Sequence, residues 1–334
     1  MQLNDDELLR LITTEDKSEI ESLFAQARKA REDYYGKSIY FRGLIEFTNY
    51  CKNDCYYCGI RCSNSKLERY RLSQNEILDC CRRGDKLGYK TFVLQGGEDP
   101  WFSDERLAQI ISAIRSEFPE HAITLSIGEH SRGSYELFFR EGANRFLLRH
   151  ETSSVDHYAK LHPPSMTLEN RKRCLRDLKE TGYQTGAGFM VGTPHQTLEL
   201  LLADLRYLEE LQPEMAGVGP FIPHKDTPFA AHPAGNLSLS LKMLALVRII
   251  LPKALIPATT AISTIASNGR ELALNAGANV IMPNLTPQTN KKLYQIYDHK
   301  LTDEDDAVEN HLRLVEMIRS AGLEPDMGRG DAKR

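Results

Sequence analysis

The amino-acid sequence predicts an α/β chain: a parallel (β/α)8 barrel of the TIM type, with an N-terminal helical cap and a C-terminal helix. Three observations lead there. From residue 39 onward, eight short apolar runs alternate with longer amphipathic stretches, the pattern of strands alternating with helices. Glycines stop several of the helical stretches, at Gly88, Gly142, Gly182 and Gly277. The words that follow the apolar runs are polar or glycine-rich, as suits a fold whose chemistry sits on the loops after its strands. An open doubly wound sheet usually has fewer strands and a glycine-rich first turn, which this chain lacks.

The elements follow in order. Residues 1–38 read as a helical segment, with Leu8, Leu9, Leu11 and Ile12, then Ile20, Leu23, Phe24 and Ala27, at helical spacing. Asp16-Lys17-Ser18-Glu19 separates two short helices there. Strands are expected at 40–47, 91–95, 122–127, 145–149, 184–190, 216–221, 256–261 and 279–282. Helices are expected between them at 75–87, 104–118, 134–141, 168–181, 197–211, 238–251 and 270–276. The barrel thus spans 39–322, and 323–334 form a C-terminal tail. No sequence repeat, low-complexity tract or Gly/Ser linker interrupts it.

Composition narrows the function. With 334 residues, 41% hydrophobic and 26% charged, the chain can fill a sizeable core. A net charge of −4 offers no basic footing for nucleic acid. No apolar run approaches the ~18 residues of a membrane span, and the acidic start Met1-Gln2-Leu3-Asn4-Asp5-Asp6-Glu7 lacks the apolar region of a secretory signal. A cytoplasmic protein is expected, in which seven cysteines stay reduced rather than pair. Four of them, Cys51, Cys55, Cys58 and Cys62, crowd into twelve residues, which suggests metal. Cys80, Cys81 and Cys174 lie on helical stretches, where Cys acts as a small hydrophobe.

Cys51, Cys55 and Cys58 form C-x3-C-x2-C directly after the first expected strand. Three thiolates for a four-iron cube leave one iron without a protein ligand. An open coordination position exists to bind a substrate, and this one suits a bidentate amino acid, the methionyl end of S-adenosylmethionine (SAM). Competing readings are a structural zinc site, a four-thiolate cluster that recruits Cys62, and plain burial. Zinc prefers two separated C-x2-C knuckles, and only one occurs. A fully ligated cluster would not explain the glycine-rich loops of the same barrel face. Lys52, Asn53 and Asp54 between the cysteines argue for a loop rather than a core.

With an aromatic residue before its last Cys, the motif resembles the signature of the radical SAM superfamily. That resemblance implies a [4Fe–4S] cluster on the three cysteines, SAM chelating the fourth iron, and reductive cleavage of SAM to a 5′-deoxyadenosyl radical. Tyr57 matches the family's aromatic position beside the adenine, and Gly96-Gly97-Glu98 matches the loop whose backbone holds the SAM amino group. Glycine is physically sensible there, because a residue without Cβ lets backbone approach a ligand closely.

The resemblance extends along nearly the whole chain to HydE, the [FeFe]-hydrogenase maturase family. Its words include Ile45-Glu46-Phe47, Leu94-Gln95-Gly96-Gly97-Glu98-Asp99-Pro100, Thr124-Leu125-Ser126-Ile127-Gly128-Glu129 and Leu148-Arg149-His150-Glu151-Thr152. Gly219-Pro220-Phe221-Ile222-Pro223-His224, Ile256-Pro257-Ala258-Thr259-Thr260-Ala261 and Asn279-Val280-Ile281-Met282-Pro283-Asn284 continue it. What the family implies is a part in assembling the diiron subcluster of the hydrogenase H-cluster. The implied partners are a cysteine-bound iron carbonyl cyanide substrate, the other hydrogenase maturases and a low-potential electron donor.

Carried over residue by residue, Glu151 and Arg171 match the family's SAM-binding carboxylate and arginine. The carboxylate can accept from ribose hydroxyls or the ammonium, and the guanidinium can clamp the methionyl carboxylate. As bare sequence they could equally form a barrel-rim salt bridge. Ser126 and Met190 belong to the same implied cofactor set. Arg149, Thr124, Thr259 and Thr260 match catalytic-cavity residues near an anion-binding spot; read alone they could be a satisfied structural network. Tyr294 and Tyr297 correspond to an aromatic segment close to the cavity, or to surface packing. The chain departs from the family pattern at 300–317, where some members carry cysteines for an auxiliary cluster and this one has none.

Rival functions remain. Methylornithine synthase shares the barrel, but a lysine mutase should offer the substrate ammonium an acid after the seventh strand, and 259–264 has none. Biotin synthase needs a second, sulfur-donating cluster, for which no extra ligands are placed. A non-catalytic iron–sulfur scaffold is the reading from another class, separable by SAM cleavage.

Overall fold

Side-chain caps start the N-terminal helices. Asn4 and Glu7 cap α1 (Asp5–Thr13) reciprocally, and the Asp16 carboxylate accepts the Ser18 and Glu19 N–H groups at the start of α2 (Lys17–Tyr35). The chain then enters β1 (Ser38–Phe41) and β2 (Gly43–Thr48), followed by α3 (Gln74–Lys86), β3 (Thr91–Gly96), α4 (Asp104–Glu117), β4 (Ala122–Ser126) and α5 (Arg132–Arg140). Next come β5 (Arg145–Leu147), α6 (Val155–Leu161), α7 (Leu168–Thr181), β6 (Gln184–Val191), α8 (Leu198–Leu211), β7 (Met215–Pro220) and α9 (Leu237–Ile250). The last elements are α10 (Thr260–Ile265), α11 (Gly269–Asn275), β8 (Val280–Ile281), α12 (Gln288–Lys291), α13 (Ala307–Ser320) and β9 (Glu324–Asp326). The computed structural model describes residues 3–301 and 306–333. Met1, Gln2, 302–305 and Arg334 lie outside it, and with them the ends of segments 1–38 and 323–334 and part of the cysteine-free stretch 300–317.

Strands β2 to β7 form one parallel sheet in chain order. Single bridges close the ring: Met215 to Leu255, Pro257 to Val280, and Asn284 to Leu44. The result is the (β/α)8 barrel. The expected first strand is divided at Arg42 into β1 and β2, although one line of hydrogen bonds, from the N–H groups of Tyr40, Arg42 and Leu44 to the carbonyls of Asn279, Ile281 and Pro283, runs through both. The expected strand at 256–261 is a correction: only the bridges at Leu255 and Pro257 remain, and Thr260 already opens α10. Pro257 has no N–H to give a ladder, so a regular strand cannot run through it.

Side-chain alternation separates the two faces of the sheet. Phe92, Leu94, Ile123, Leu125, Phe146, Ala187, Phe189, Ala216 and Val218 join the main core between sheet and helices. Their alternates therefore face the barrel interior, Thr124, Arg149, Gly188, Met190, Gly217 and Gly219 among them. Near the N-terminal ends of the strands, β9 pairs with β1, and the residues after it cover the barrel floor. There the buried Arg145 donates to the Arg329 carbonyl and to Asp331, both at 2.7 Å, and Thr91 donates to the Arg329 carbonyl at 2.9 Å. Among the described residues no helix is long and apolar enough to cross a membrane.

Burial lowers the Arg145 pKa, so this cation sits at a cost that its partner offsets. Burial would raise the Asp331 carboxyl, but hydrogen bonds from Arg329, Arg145 and Gln184 outweigh it and hold the group below the usual carboxylate range. A depressed carboxyl contributes stability above its unfolded pKa of about 4 and loses it as pH falls further. Asp331 is 43% exposed, so Asp331→Asn is expected to cost only about 1–2 kcal/mol at pH 7. Chemical denaturation should show the gap to the parent closing below pH ~4; a gap that does not change with pH would contradict the assignment.

Candidate active site

The loop from β2 to α3 carries the three cysteines without regular structure, so its backbone groups find partners elsewhere. Lys52 N–H donates to the Glu98 carbonyl at 2.8 Å, Tyr56 N–H to Leu161 at 3.0 Å and Gly59 N–H to Ile296 at 2.8 Å. Arg69 ties the far side of the loop by donating to the carbonyls of Asn49, Ile60, Arg61 and Asn64. Arg61 and Ser63 both bind Asp54, and the Arg61 contact first of all holds that carboxyl well below its usual range.

Cys51, Cys55 and Cys58 are half-buried, whereas Cys62 is exposed. Burial pushes up the thiols of Cys51, Cys55 and Cys58, that of Cys58 to about 12, and the neighbouring cysteines raise one another further. Keeping all three as thiolates therefore requires positive charge at the centre of the loop, which a metal centre supplies. Among the described residues no three His, Cys, Asp or Glu side chains gather around a single ion.

The backbone at the end of β3 lies flat on this loop. A Cβ at Gly97 would run into the Tyr50 carbonyl oxygen and come within 2.7 Å of the Cys51 Cβ, and one at Gly96 would lie 2.7 Å from the Thr48 methyl. Glu98 continues the contact: its carboxylate accepts the Glu129 N–H at 2.9 Å and lies 3.2 Å from Lys52 Nζ. Glu129 in turn accepts from Arg171 Nε and Asn170 Nδ2, both at 2.6 Å. The Arg171 guanidinium also donates to the Arg149 carbonyl at 2.5 Å, and Arg149 pairs with Glu151 at 2.6 Å.

Tyr57 donates its hydroxyl to His162 Nε2 at 3.0 Å. Burial lowers the His162 pKa to about 3, so a neutral ring donates from Nδ1 to the Tyr158 carbonyl and accepts at Nε2. That ring also stacks on Tyr158 with centroids 3.9 Å apart. Met190 lies beside Tyr57 in an apolar cluster with Leu161, Phe221 and Phe229. Ser126 ends β4 opposite Gln95, half-buried.

Deeper in the barrel, Thr124 Oγ1, Arg149 Nε and Thr259 Oγ1 are buried with no hydrogen-bond partner. Glycine on β7 leaves room for them: Gly217 faces the Arg149 side chain, and a Cβ at Gly219 would lie 2.6 Å from the Thr259 hydroxyl. Thr260 is half-buried, and its carbonyl accepts from Thr264 at 3.0 Å. Tyr294 is buried with its hydroxyl 3.5 Å from Gln95, and Tyr297 is half-buried.

The mouth thus brings together the cysteines, Tyr57, 96–98, Glu151, Arg171 and Met190, while Thr124, Arg149 and Thr259 sit below. Sequence reasoning assigned no role to Glu129, His162 or Glu46. Glu46 is a fully buried carboxylate paired with Lys300 and accepting from Asn284 at 2.8 Å. The words Gly128-Glu129 and Ile45-Glu46-Phe47 marked two of these positions without showing their partners.

Comparison with known proteins adds to this geometry. The radical SAM superfamily profile matches residues 45–208. The chain is 44% identical to the [FeFe] hydrogenase maturase subunit HydE of Thermotoga maritima, over 98% of this chain and 93% of that protein. It is 31% identical to the 3-methylornithine synthase of Methanosarcina acetivorans, covering 97% and 91%. The crystal structure of methylornithine synthase (PylB) superposes with a TM-score of 0.86 at 29% identity, covering 98% and 95%. The HydG maturase of Carboxydothermus hydrogenoformans superposes at 0.81 with 24% identity, covering 98% and 76%, a likeness of fold.

Gly97→Ala should push the cysteine loop off β3. After anaerobic reconstitution with iron and sulfide it is expected to hold less than roughly half the parent's iron, because loops here tolerate no added methyl. Gly133→Ala, whose Cβ would meet only Ser131 Oγ at 3.8 Å, should load fully. Equal iron in both variants would show that the seam does not govern the loop.

Proposed function

Because the chain belongs to the radical SAM superfamily and, within it, to the family of the [FeFe]-hydrogenase maturase HydE, we propose that its barrel mouth holds the [4Fe–4S] cluster on Cys51, Cys55 and Cys58, with SAM on the fourth iron. The protein is a radical SAM enzyme of hydrogenase maturation. Bound there, cluster and SAM supply a 5′-deoxyadenosyl radical by reductive cleavage of SAM.

The chain's own residues do the rest. Tyr57 and Met190 offer an apolar wall to the adenine, and the hydrogen bond to His162 fixes the Tyr57 ring. The backbone at 96–98 would hold the amino group, with Ser126 at the end of β4 in the same set. Glu151 accepts from the ribose or the ammonium. Arg171, with two of its nitrogens held by Glu129 and the Arg149 carbonyl, would clamp the methionyl carboxylate.

The observation that carries the substrate reading is the set of buried polar atoms without partners. Leaving a buried hydrogen-bonding group unmade costs about 1–3 kcal/mol, and Thr124, Arg149 and Thr259 each present one to the interior. With Thr260 they form a small anion-receptive chamber, suited to a cysteine-bound iron carbonyl cyanide unit. The inner carboxylate Glu46 already carries the chain's own Lys300, which speaks against a free ammonium substrate and so against a lysine mutase. Other hydrogenase maturases, a low-potential one-electron donor and a cytoplasmic setting with reduced thiols belong to the same reading.

Reconstituted protein is expected to bind about four irons per chain, because one three-cysteine site is available. Alanine at Cys51, Cys55 or Cys58 should abolish the cluster's visible absorbance, and Cys62→Ala should keep it. Loss in the Cys62 variant would favour four-thiolate ligation.

Arg149→Ala is expected to retain the cluster and to bind SAM, more weakly because Glu151 loses its partner, yet fail to support maturation of an [FeFe]-hydrogenase, since the chamber loses its guanidinium. Lysine should neither stimulate deoxyadenosine formation nor be converted by the parent enzyme. Methylornithine appearing as product would replace the maturase reading with the mutase.

A further inference from the structure

Glu151 adopts a left-handed backbone, φ +66°, which a glutamate does not choose unaided. The cause lies in the pairing of β5 with β6. After Leu147 the ladder continues with Leu148 N–H donating to the Gly186 carbonyl at 2.9 Å. The next donor to β6 is Glu151 N–H, on the Gly188 carbonyl at 3.0 Å, one residue later than a regular ladder would place it. Between these two bonds the Gly188 N–H meets a side chain: it donates to His150 Nδ1 at 3.3 Å. Gly188 itself has φ +150° and packs so tightly on Gly217 that a Cβ would overlap the Gly217 carbonyl.

His150 is fully buried. Because its Nδ1 accepts, its ring proton is on Nε2, and that nitrogen faces Asp204 Oδ1 at 3.6 Å, an electrostatic contact longer than a hydrogen bond. Asp204, also fully buried on α8, accepts the Ser153 N–H at 2.5 Å. Tyr207 meets the imidazole edge-on at 4.8 Å. The bulge is therefore gripped at both ends, at Gly188 through His150 and at Ser153 through Asp204, with Glu151 between.

We infer that His150, backed by Asp204, is a positioning residue for Glu151: it supplies the acceptor missing at the bulge, holds the left-handed turn, and so aims the Glu151 carboxylate into the barrel mouth. The inference rests on the reading that Glu151 contacts SAM. His150 acts through Glu151.

The test is equilibrium SAM binding to the reconstituted, unreduced protein, with iron content measured alongside. His150→Leu should keep its iron and weaken SAM binding about tenfold. In a Glu151→Gln background the same change should have little further effect, since the two act through one contact. His150→Asn, whose side-chain carbonyl can accept from Gly188, should restore most of the affinity. If His150→Leu loses the cluster through misfolding, Asp204→Leu, which removes the acceptor for Ser153 and the group behind His150, replaces it in the same cycle, with the same expected coupling to Glu151. Equal losses with and without Glu151, or no loss at all, would overturn the inference while leaving Glu151 in the site. Unchanged SAM binding in Glu151→Gln alone would instead remove Glu151 from the site, and the positioning role with it, without touching the cluster assignment.

Discussion

Everything at the barrel mouth hangs on the close approach of two backbones, Gly97 to the Tyr50 carbonyl. Only glycine permits it, and it lets the cysteine loop borrow its stiffness from β3 although the loop has no ladder of its own. From that seam a belt of polar contacts runs round the rim: Lys52 to Glu98, Glu98 to Glu129, Glu129 to Arg171, Arg171 to Arg149, and Arg149 to Glu151. In its second half two ion pairs, Arg171 with Glu129 and Arg149 with Glu151, are joined through the Arg149 carbonyl, so each of these charges has a protein partner. A belt of this kind holds side chains from four strands and a helix in mutual register, which is what a cofactor with several contact points demands.

The interior below is built from opposite materials. Glycines on β7 leave space, and the Thr124 and Thr259 hydroxyls with the Arg149 Nε look into it without partners. Residues 292–301 cross the opening and are tied down on several sides: Asn49 donates to the Leu293 carbonyl at 2.8 Å, Asp298 N–H to Pro223 at 3.0 Å, and Leu301 N–H to the Thr264 hydroxyl at 3.1 Å. The buried Lys300–Glu46 pair finishes the strap. Water exclusion of this sort protects a reactive intermediate, and it raises the strength of every polar contact within.

Much of this was legible in the sequence. The helices α3, α4, α7, α8 and α9 lie within about a residue of expectation, because each has a periodic apolar face and begins at a Ser, Thr or Asn cap. The cysteine spacing and the glycines at 96–97 announced their chemistry because both act locally. What stayed hidden depends on distant partners. Glu129 matters through Arg171, forty-two residues on; Glu46 through Lys300, 254 residues away. The role of His150 depends on a one-residue slip in strand pairing that no local pattern encodes. The seventh run read as a strand because its residues are apolar, but Pro257 lets it touch its neighbours only at single points. The short helix α6 carries too few residues for periodicity to reveal it.

The position of β1 has a consequence for biosynthesis. It lies between β8 and β9, so a strand made near the start of the chain waits for residues 280–281 and 324–326 before either of its edges is covered. Such long-range pairing slows folding. While the nascent chain is still emerging, Arg42 and Arg145 stand in an open barrel floor, hydrated rather than paired. The upper rim, whose contacts fall mainly between neighbouring βα units, can assemble before then. The floor therefore closes only once residues 329–331 bring Asp331 to Arg145.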